Sequence, residues 1–348
     1  MPAPAPTLLP NQSLRWGILA TGRIAGIFAR GVAASRTGQV VAVGSRTAAS
    51  AARFAHEHGI PPEHTHASYA ALLADPAVEA VYIATPHPEH LVWVERAAAA
   101  GKAVLCEKPA GLNLAQAQTM LAATRAAKVL LMEAYMYRCH PQTAQIVEWV
   151  RAGVIGEVKW IQASFGFHCA FDPASRLWNK ALGGGAILDV GGYPMSFARL
   201  IAGAATQTAC AEPLELTGTG QLHPQTGVDV YAAATLRFPG NIVAQLGTAI
   251  GLNLDPTARI YGTEGWIEIP HPWIITQTTD TLELRLHRQG SAAAEIHRFP
   301  TGNVYALEAD AFADALRADA DTVPAMSPAD TLGNLAALDR WRTALDLR

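Results

Sequence analysis

The sequence predicts an α/β protein with two domains: a doubly wound parallel sheet first, then an α+β domain with an open, mostly antiparallel sheet. Residues 14–137 alternate short β-branched runs with alanine-rich amphipathic stretches, which is typical of strand–helix–strand units. After residue 138 the strand-like runs become longer and are joined by hairpin turn signals. The 348 residues are enough for two domains of ordinary size.

Composition excludes several classes of protein. Hydrophobic residues make up 50% and charged residues 16%, which excludes intrinsic disorder. The net charge of −3 gives no basic excess for a dedicated nucleic-acid binder. No apolar run reaches the roughly 18–20 residues of a membrane span. We therefore expect a small-molecule substrate, with neither nucleic acid nor membrane as a partner.

The cysteines and the N-terminus bear on location. The 4 cysteines are scattered and form no C-x-x-C pair, so no metal site is expected and a reducing cytoplasm fits. Residues 1–13 are rich in proline and lack the basic segment of a signal peptide. Alternating prolines favour an extended arm, which either frays or lies on a partner subunit.

The first domain is predicted as alternating strands and helices. The strands are Leu14–Leu19, Val40–Gly44, Val78–Ala84, Ala103–Cys106 and Val129–Glu133. The helices between them are Ile24–Ala34, Thr47–His58, Ser68–Ala74, His90–Ala100 and Leu114–Ala127. Right-handed crossovers place the carboxyl ends of all these strands at one edge of the sheet, where such folds bind ligands.

The second domain, residues 138–348, is predicted to carry substrate-binding and dimerisation surfaces. Its helices are Pro141–Arg151, an apolar one near Gly185–Ala202, Tyr305–Arg317 and Pro328–Leu345. Ser327 would cap the last of these, with Pro328 in its first position. Its strands are Val158–Phe167, Val228–Phe238, Asn241–Ala249, Ala258–Ile269, Thr281–Arg288 and Glu295–Phe299. With helices on one face only, the open face of this sheet is expected to form a homodimer or higher homo-oligomer.

A dinucleotide-binding fingerprint, G-x-G-x-x-G/A, follows the first strand in altered form. Ala20 replaces the first glycine, Gly22 is the second, and Ala25 occupies the third position. Gly22 would let the backbone approach a pyrophosphate at the start of the next helix. Ala20 would be tolerated if its φ stays negative. Taken alone, the motif predicts a phosphate-binding turn no better than an ordinary strand–helix turn.

The end of the second predicted strand favours NADP over NAD. NAD-binding enzymes place a carboxylate there for the ribose hydroxyls, whereas this chain has Ser45 and Arg46. The guanidinium of Arg46 can pair with a 2′-phosphate, and Ser45 adds a hydroxyl. The alternative is a solvated arginine at a helix start.

Two further motifs carry a family resemblance. The first is Cys106-Glu107-Lys108-Pro109, preceded by the segment Thr85–His90, and the second is the glycine-rich segment Gly183–Tyr193. Together with the fingerprint they resemble the glucose–fructose oxidoreductase / inositol dehydrogenase (Gfo/Idh/MocA) family over nearly the whole chain from Leu14. The segment Met132–Pro141 is similar to the branch that holds dimeric dihydrodiol dehydrogenases and NADP-dependent D-xylose dehydrogenases.

The resemblance implies an N-terminal Rossmann domain and a set of site residues. It implies a catalytic Lys108 beside the nicotinamide, with Asp189 and Tyr193 completing the site. Tyr193 matches the aldose and dihydrodiol branch, since many members carry histidine there. The cofactor contacts expected from the fingerprint, the second strand and the resemblance are Ala20, Thr21, Gly22, Arg23, Ile24, Ser45, Arg46, Thr85, Pro86, His90, Glu107 and Lys108.

These residue types suit the oxidation of an alcohol or hemiacetal, which needs a hydride acceptor and a base. The reference pKa values of tyrosine and lysine, about 10 and about 10.4, are too high for an efficient base near neutrality. A cationic nicotinamide would lower both. We expect Tyr193 to accept the proton, Lys108 to polarise the same oxygen and Asp189 to orient the pair. The opposite assignment of Tyr193 and Lys108 fits the sequence equally well.

Other residues are weaker candidates. Substrate contacts are possible for Arg138, His140, Phe167, Arg176 and Trp178, for which structural roles are comparably plausible. Asp189 and Tyr193 share a helix face if their segment is continuous, although Pro194 interrupts it. The histidines His56, His58, His64 and His66 are expected on a solvated surface, with no metal.

The expected activity is that of an NADP-dependent oxidoreductase acting on a sugar or cyclic diol, most concretely an aldose 1-dehydrogenase of D-xylose type. The alternatives within the class are a trans-dihydrodiol dehydrogenase and a glucose–fructose-type enzyme with tightly bound cofactor. The alternatives outside it are a redox-inactive NADP-binding regulator and a glycosidase that uses bound dinucleotide transiently.

Overall fold

The computed structural model describes residues 12–273 and 280–347, so most of the predicted N-terminal arm lies outside the described residues. The chain divides into two compact units, and each is built from separate stretches of sequence. The first contains the chain up to Cys139 together with Asn303–Thr331. The second contains His140–Gly302 together with Leu332–Arg348.

The first unit is a doubly wound α/β domain. Its strands are β1 (Leu14–Leu19), β2 (Gly38–Gly44), β3 (Thr65–His66), β4 (Ala80–Ile83), β5 (Ala103–Glu107) and β6 (Leu131–Ala134). Its helices are α1 (Arg23–Ala33), α2 (Ala48–His58), α3 (Tyr69–Ala74), α4 (His90–Ala99) and α5 (Leu114–Ala127), with α8 (Val304–Arg317) added from late in the chain. The strands pair in parallel in the order β3-β2-β1-β4-β5-β6, which confirms the predicted sheet.

An aromatic cluster forms much of the core of this unit. The ring of Phe28 stacks on Tyr82 at 3.8 Å between centroids and meets Trp16 edge-on at 5.3 Å. Phe312 of α8 lies 5.2 Å from the same Trp16 ring. A helix from late in the chain thus shares the core formed by the first strand.

The position of α8 corrects the predicted extent of the second domain. The Asp310 carboxylate accepts hydrogen bonds from the Thr37 hydroxyl at 2.5 Å and from the Arg36 amide at 3.0 Å. A Cβ on Gly31 would lie 2.5 Å from Cβ of Tyr305, so α8 approaches α1 closely. Residues 303–331 therefore belong to the first unit, because their partners are α1 and the loop after it.

The second unit is an α+β domain with an open sheet. Its strands are β7 (Val158–Gly166), β8 (Glu215–Leu222), β9 (Asp229–Phe238), β10 (Ile242–Ala249), β11 (Ala258–Gly262), β12 (Gly265–Ile269), β13 (Thr281–Arg288) and β14 (Glu295–Pro300). Their order is β14-β13-β12-β11-β7-β10-β9-β8, and among these pairs β7 and β10 run parallel while the others are antiparallel. The mostly antiparallel sheet is confirmed.

Helices cover one face of this sheet. They are α6 (Pro141–Arg151), α7 (Gly192–Ala205) and most of α9 (Pro328–Ala344). Helix α7 lies against β7 and β10, and its residues 192–204 are all buried. Ser327 caps α9 as expected, since its hydroxyl accepts the amide of Asp330. The expected dimer through the opposite face stays a prediction.

Two strand predictions needed correction. The run Ala258–Ile269, expected as one strand, is the hairpin of β11 and β12. Its turn follows Gly262, where a Cβ would lie 2.1 Å from the Ile155 carbonyl oxygen, so that position admits no side chain. Strands β3 and β8 were not predicted: β3 has only two residues, and the polar, glycine-containing sequence of β8 lacks the usual strand pattern. Among the described residues, no helix is both long and apolar enough to cross a membrane.

Candidate active site

The turn between β1 and α1 holds Ala20 in the left-handed region of backbone space. Its φ is +87°, so the negative φ under which alanine was expected to be tolerated is not what the turn adopts. The amide of Ala20 donates to the Gly44 carbonyl at 3.0 Å, which ties the turn to the end of β2. The alanine thus adopts the conformation for which the usual glycine is suited.

Gly22 leaves open space at the start of α1. Its φ of −75° is open to any residue, and a Cβ there would meet no described atom within 4 Å. No side chain of the described residues caps this helix, so its first N–H groups, beginning with Arg23 and Ile24, lack a capping acceptor. Open space in front of uncapped amides fits a pyrophosphate.

The end of β2 offers hydroxyls and a cation. Ser45 is buried, and its hydroxyl lies 3.1 Å from that of Thr21 in the fingerprint turn. Arg46 is exposed beside it and makes no salt bridge to a described residue. These groups fit the 2′-phosphate of NADP.

The loop after β4 contributes an unsatisfied hydroxyl but not an available histidine. The buried Thr85 hydroxyl has no hydrogen-bond partner among the described residues, and Pro86 follows it. His90 is fully buried, with Nε2 at 2.9 Å from the Thr85 carbonyl and Nδ1 at 2.9 Å from the Pro109 carbonyl. Burial lowers the pKa of His90. His90 therefore ties two loops together, and its expected direct contact with the cofactor stays a prediction.

Glu107 and Lys108 stand at the carboxyl end of β5. The buried Glu107 carboxylate accepts hydrogen bonds from the Tyr82 hydroxyl and, at 3.1 Å, from the Lys108 amide. Burial and the Glu107 charge raise the pKa of Tyr82, so the phenol stays protonated as a donor. Lys108 is half-buried, and its peptide bond to Pro109 is cis. Because Lys108 directly follows β5, it lies at the ligand-binding edge of the parallel sheet.

In the second unit, the glycine run Gly183–Gly185 has a steric explanation. A Cβ on Gly184 would lie 2.6 Å from the Leu177 carbonyl oxygen and 2.7 Å from that of Arg176. Gly185 has a φ of +108°, and its Cβ would lie 2.1 Å from Oδ1 of Asp229. Neither position admits a side chain, so the backbone packs tightly just before the segment that carries Asp189.

Asp189 and Tyr193 lie on one continuous helical segment. A π-helical turn, Ile187–Gly191, runs directly into α7. Pro194 has no N–H to offer the carbonyl four residues before it, and a widened turn accommodates such a missing bond. The segment is therefore continuous, but it begins with a π-helical turn. The expected shared face of Asp189 and Tyr193 assumed a regular α-helix.

Both side chains are buried and held by neighbours. Oδ1 of Asp189 lies 2.8 Å from Nη2 of the half-exposed Arg176. The Tyr193 ring packs edge-on against Phe165 at 5.2 Å and Trp273 at 5.9 Å. The structure thus brings Arg176 to Asp189, and the expected contact of Arg176 with the substrate stays a prediction.

Three other substrate candidates make structural contacts, and their expected contact with the substrate stays a prediction. Arg138 forms a buried ion pair with Asp330 at 2.6 Å. His140 caps α6: its Nδ1 accepts the Gln142 amide, and its Nε2 lies 3.2 Å from two backbone carbonyls. Trp178 is buried, with Nε1 donating to the Ala170 carbonyl at 3.0 Å. Phe167 is partly buried against the Trp178 cluster.

Among the predicted surface histidines, two are partly buried and contact a buried aspartate. His64 Nδ1 and His66 Nε2 each lie 2.8 Å from the same oxygen of Asp75. Across residues 12–273 and 280–347, no group of three histidine, cysteine or acidic side chains could hold a metal ion.

Sequence reasoning missed Asp229, the first residue of β9. Its Oδ2 accepts the Ile187 amide at 2.6 Å, at the start of the π-helical turn. A single aspartate at a strand start is not a motif, and the residue that it contacts is 42 positions away. Only the fold reveals its link to the segment of Asp189 and Tyr193.

Sequence comparison gives relatives over almost the full length. The chain is 35% identical to mouse (Mus musculus) trans-1,2-dihydrobenzene-1,2-diol dehydrogenase over 336 residues, 96% of this chain and 97% of that one. It is 37% identical to the Danio rerio protein of the same name over 268 residues, 76% and 77% of the two chains.

Solved structures give the same picture. KijD10, a 3-ketoreductase from Actinomadura kijaniata in complex with NADP and TDP-benzene, matches with a TM-score of 0.83 and 28% identity, over 96% of this chain and 98% of that one. The aldose-aldose oxidoreductase from Caulobacter crescentus matches with a TM-score of 0.85 and 27% identity over the same shares.

Family models cover both units. Residues 14–135 match the oxidoreductase family with an NAD-binding Rossmann fold, and residues 143–268 match the GFO/IDH/MocA C-terminal domain. With these matches and a relative 35% identical over nearly its full length, the chain belongs to the Gfo/Idh/MocA family of oxidoreductases.

Proposed function

We propose that the protein is an NADP-dependent oxidoreductase that transfers a hydride between the nicotinamide and a sugar hemiacetal or cyclic diol, most concretely an aldose 1-dehydrogenase of D-xylose type. The observation that carries the proposal is the pair of buried side chains, Asp189 and Tyr193, on one helical segment, with Arg176 holding the carboxylate. A fixed phenol and carboxylate supply the proton-handling groups that the oxidation of an alcohol needs.

The residues that would hold the cofactor lie in the first unit. The uncapped amides after Gly22 would bind the pyrophosphate, and Ser45 and Arg46 would bind the 2′-phosphate. Thr85 and Lys108, at the ends of β4 and β5, would lie beside the nicotinamide. When bound, the nicotinamide accepts or donates the hydride. The NADP in the KijD10 structure supports this choice of dinucleotide.

The proton is handled by this chain's own residues. In the oxidative direction, Tyr193 as its phenolate takes the proton of the substrate hydroxyl and becomes the neutral phenol, and the ammonium of Lys108 polarises the same oxygen. Asp189, held by Arg176, orients the pair. The reverse assignment of Lys108 and Tyr193 is equally consistent with the residues present.

A trans-dihydrodiol dehydrogenase is the second candidate. It is favoured by the name of the mouse and Danio rerio relatives, which match at 35% and 37% identity. A sugar substrate is favoured by the aldose-aldose oxidoreductase of similar fold. Both substrates present a secondary hydroxyl beside another oxygen, so the same three residues serve either reaction.

The test is a panel of aldoses and cyclic diols assayed with NADP and with NAD, with reduced nicotinamide measured by absorbance. We expect turnover with NADP, and a loss of kcat by a factor of about 10²–10⁴ in Lys108→Met and Tyr193→Phe because a proton-transfer group is removed. The dissociation constant of NADP should stay close to the wild-type value. Lys159→Met and Tyr231→Phe, at exposed sheet positions, are the matched controls and should keep full activity.

Near-normal turnover in both Lys108→Met and Tyr193→Phe would overturn the assignment. If the panel gives no reduced nicotinamide at any pH although NADP binds, the redox-inactive regulator is favoured. Nucleotide absorbance that survives gel filtration would point to the enzyme with tightly bound cofactor. Release of a leaving group without net reduction would reveal the glycosidase.

A further inference from the structure

The side chain of Asp229 lies behind the segment that carries Asp189 and Tyr193. Asp229 is the first residue of β9 and is 3% exposed. Its Oδ2 accepts the Ile187 amide at 2.6 Å, two residues before Asp189. Its Oδ1 lies where a side chain of Gly185 would stand, at 2.1 Å from an ideal Cβ. The carboxyl group therefore fills the space that the glycine leaves and bonds the turn that follows.

A second strand holds the same point. The Thr248 hydroxyl, at the end of β10, donates to the Ala186 carbonyl at 3.1 Å. Strands β9 and β10 are paired neighbours in the sheet, so the start of the π-helical turn is tied to a rigid element from two sides. Ala186 itself is fully buried. Small displacements of this point would move every side chain on the segment that follows.

We propose that Asp229 is a positioning residue of the active site, which fixes the start of the π-helical turn by its bond to the Ile187 amide and so sets the placement of Asp189 and Tyr193. The inference rests on the proposed function, because it takes those two side chains as the proton-handling groups. Asp229 itself touches neither the substrate nor the cofactor in this proposal. It acts through a backbone hydrogen bond at a helix start, where such acceptors are needed.

The hydrogen bond from the Ile187 amide does not require a charge on Asp229. Burial raises the pKa of Asp229 to about 7, against the opposing effects of the amides of Ile187 and Ala186 and the positive charge of Arg342. A neutral carboxyl group still accepts a hydrogen bond through its carbonyl oxygen. Asparagine has a matching oxygen and no charge, so Asp229→Asn keeps the bond, whereas Asp229→Ala removes it.

The experiment compares Asp229→Ala, Asp229→Asn and wild type by steady-state kinetics and by hydrogen–deuterium exchange of the peptide spanning residues 185–193. In Asp229→Ala we expect kcat to fall about tenfold, a change of about 1.4 kcal/mol in the barrier, and amide exchange in that peptide to speed up about tenfold. The dissociation constant of NADP should stay within about twofold of wild type. Asp229→Asn should restore most of both losses.

The matched control is Asn113→Ala. Oδ1 of Asn113 caps α5 by accepting the Gln116 amide at 3.0 Å, so this variant loses the same kind of bond at a helix outside the site. It should keep the wild-type kcat and the wild-type exchange in residues 185–193. If Asp229→Ala does not fold, Asp229→Ser replaces it, because the shorter side chain cannot span the bond and should show the same losses.

The two readouts separate the inference from the function on which it rests. Wild-type kcat and wild-type exchange in Asp229→Ala would overturn the positioning role. Equal losses in Asp229→Ala and Asp229→Asn would overturn the hydrogen bond as its cause. The exchange measurement needs no substrate, so if no compound in the panel is turned over, the proposed function fails while the effect of Asp229 on residues 185–193 is still measured.

Discussion

At the scale of single residues, the strained alanine of the fingerprint turn is the clearest departure from expectation. Ala20 holds a φ of +87° and is 8% exposed. A left-handed conformation costs an L-residue about 1–2 kcal/mol, which glycine avoids. The bond from its amide to the Gly44 carbonyl shows what holds the turn in this conformation. The chain thus keeps the geometry of the turn while lacking its usual residue.

We therefore expect Ala20→Gly to raise the free energy of unfolding by about 0.5 kcal/mol, because relief of strain exceeds the entropy that glycine loses on folding. Ala20→Val should lower it by about 2 kcal/mol or more, since a β-branched residue tolerates positive φ poorly. Urea unfolding measures both. Ala122→Gly, on the exposed side of α5, should lose about 1 kcal/mol and serves as the control. A loss of stability in Ala20→Gly would contradict the strain.

A second residue-scale feature is a buried acid that the proposed mechanism does not use. Glu308 of α8 is 0% exposed, and neither of its carboxyl oxygens has a hydrogen-bond partner among the described residues. Burial, with the charge of Glu107 as a second cause, raises the pKa of Glu308 well above its usual range. The folded state therefore favours the protonated form of Glu308.

This acid predicts a pH dependence of stability. Because its pKa is raised on folding, the unfolded chain releases the proton first, and stability is lost as pH rises above the ordinary value of about 4.3. Glu308→Gln removes that loss. Its free energy of unfolding at pH 8 should exceed that of wild type by about 1–3 kcal/mol, with a smaller difference at pH 5.

Urea unfolding across this pH range measures the effect, and Glu57→Gln, at an exposed position, is the control. The control should follow the wild-type pH dependence. An identical slope in Glu308→Gln and wild type would show that Glu308 is charged when folded.

The positions of candidate residues were predictable where a local pattern encodes them. Lys108 lies at a strand end, as its motif and the resemblance implied, and Ser45 and Arg46 follow β2. The buried contacts of Arg138 and His140 were not predictable. Asp330 lies 192 positions from Arg138, and Pro300 lies 160 positions from His140. No local pattern indicates which of two polar side chains will find a buried partner so far along the chain.

At the scale of elements, periodicity predicted the helices and most strands. Helices α5 and α6 and strands β1 and β13 have the expected bounds, since their apolar spacing and caps are local signals. Strand β8 was not predicted because it lies at the edge of the sheet and its side chains are mostly exposed. The π-helical turn before α7 was not predicted either. It accommodates the backbone hydrogen bond that Pro194 cannot donate, because proline has no N–H.

The docking of α8 is the element-scale feature with the sharpest test. The buried Asp310 carboxylate joins α8 to Thr37 and Arg36, whereas Asp314 on the same helix is exposed and contacts Arg36 at the surface. Asp310→Ala should lower the free energy of unfolding by about 2 kcal/mol, because it leaves buried donors without an acceptor. Asp314→Ala, which loses only surface ion pairs with Arg36 and Arg317, should change it by less than about 0.5 kcal/mol.

Urea unfolding, followed by far-ultraviolet circular dichroism, distinguishes these outcomes. Equal effects of the two alanine variants would show that the buried contacts of Asp310 contribute no more than a surface ion pair. It would also weaken the assignment of residues 303–331 to the first unit.

At the scale of the whole molecule, both sheets were predicted in type, and the division of the chain was not. Strand–helix alternation and hairpin spacing are repeated along the sequence, so they survive errors at single elements. No repeated sequence pattern indicates that residues 303–331 belong to the first unit. Their placement depends on Phe312, Tyr305 and Asp310 matching the surface of α1 and β1, which is a property of three-dimensional shape.

The placement of residues 303–331 also bears on how the protein is made. A chain leaving the ribosome has completed the parallel sheet long before Phe312 emerges to cover Trp16. Until then the Trp16 indole lacks its contact with Phe312, and the Thr37 hydroxyl lacks its bond to Asp310. The nascent domain therefore exposes apolar surface on which other chains can aggregate. The first unit can bury this surface only after α8 has been synthesised, although its parallel sheet is complete much earlier.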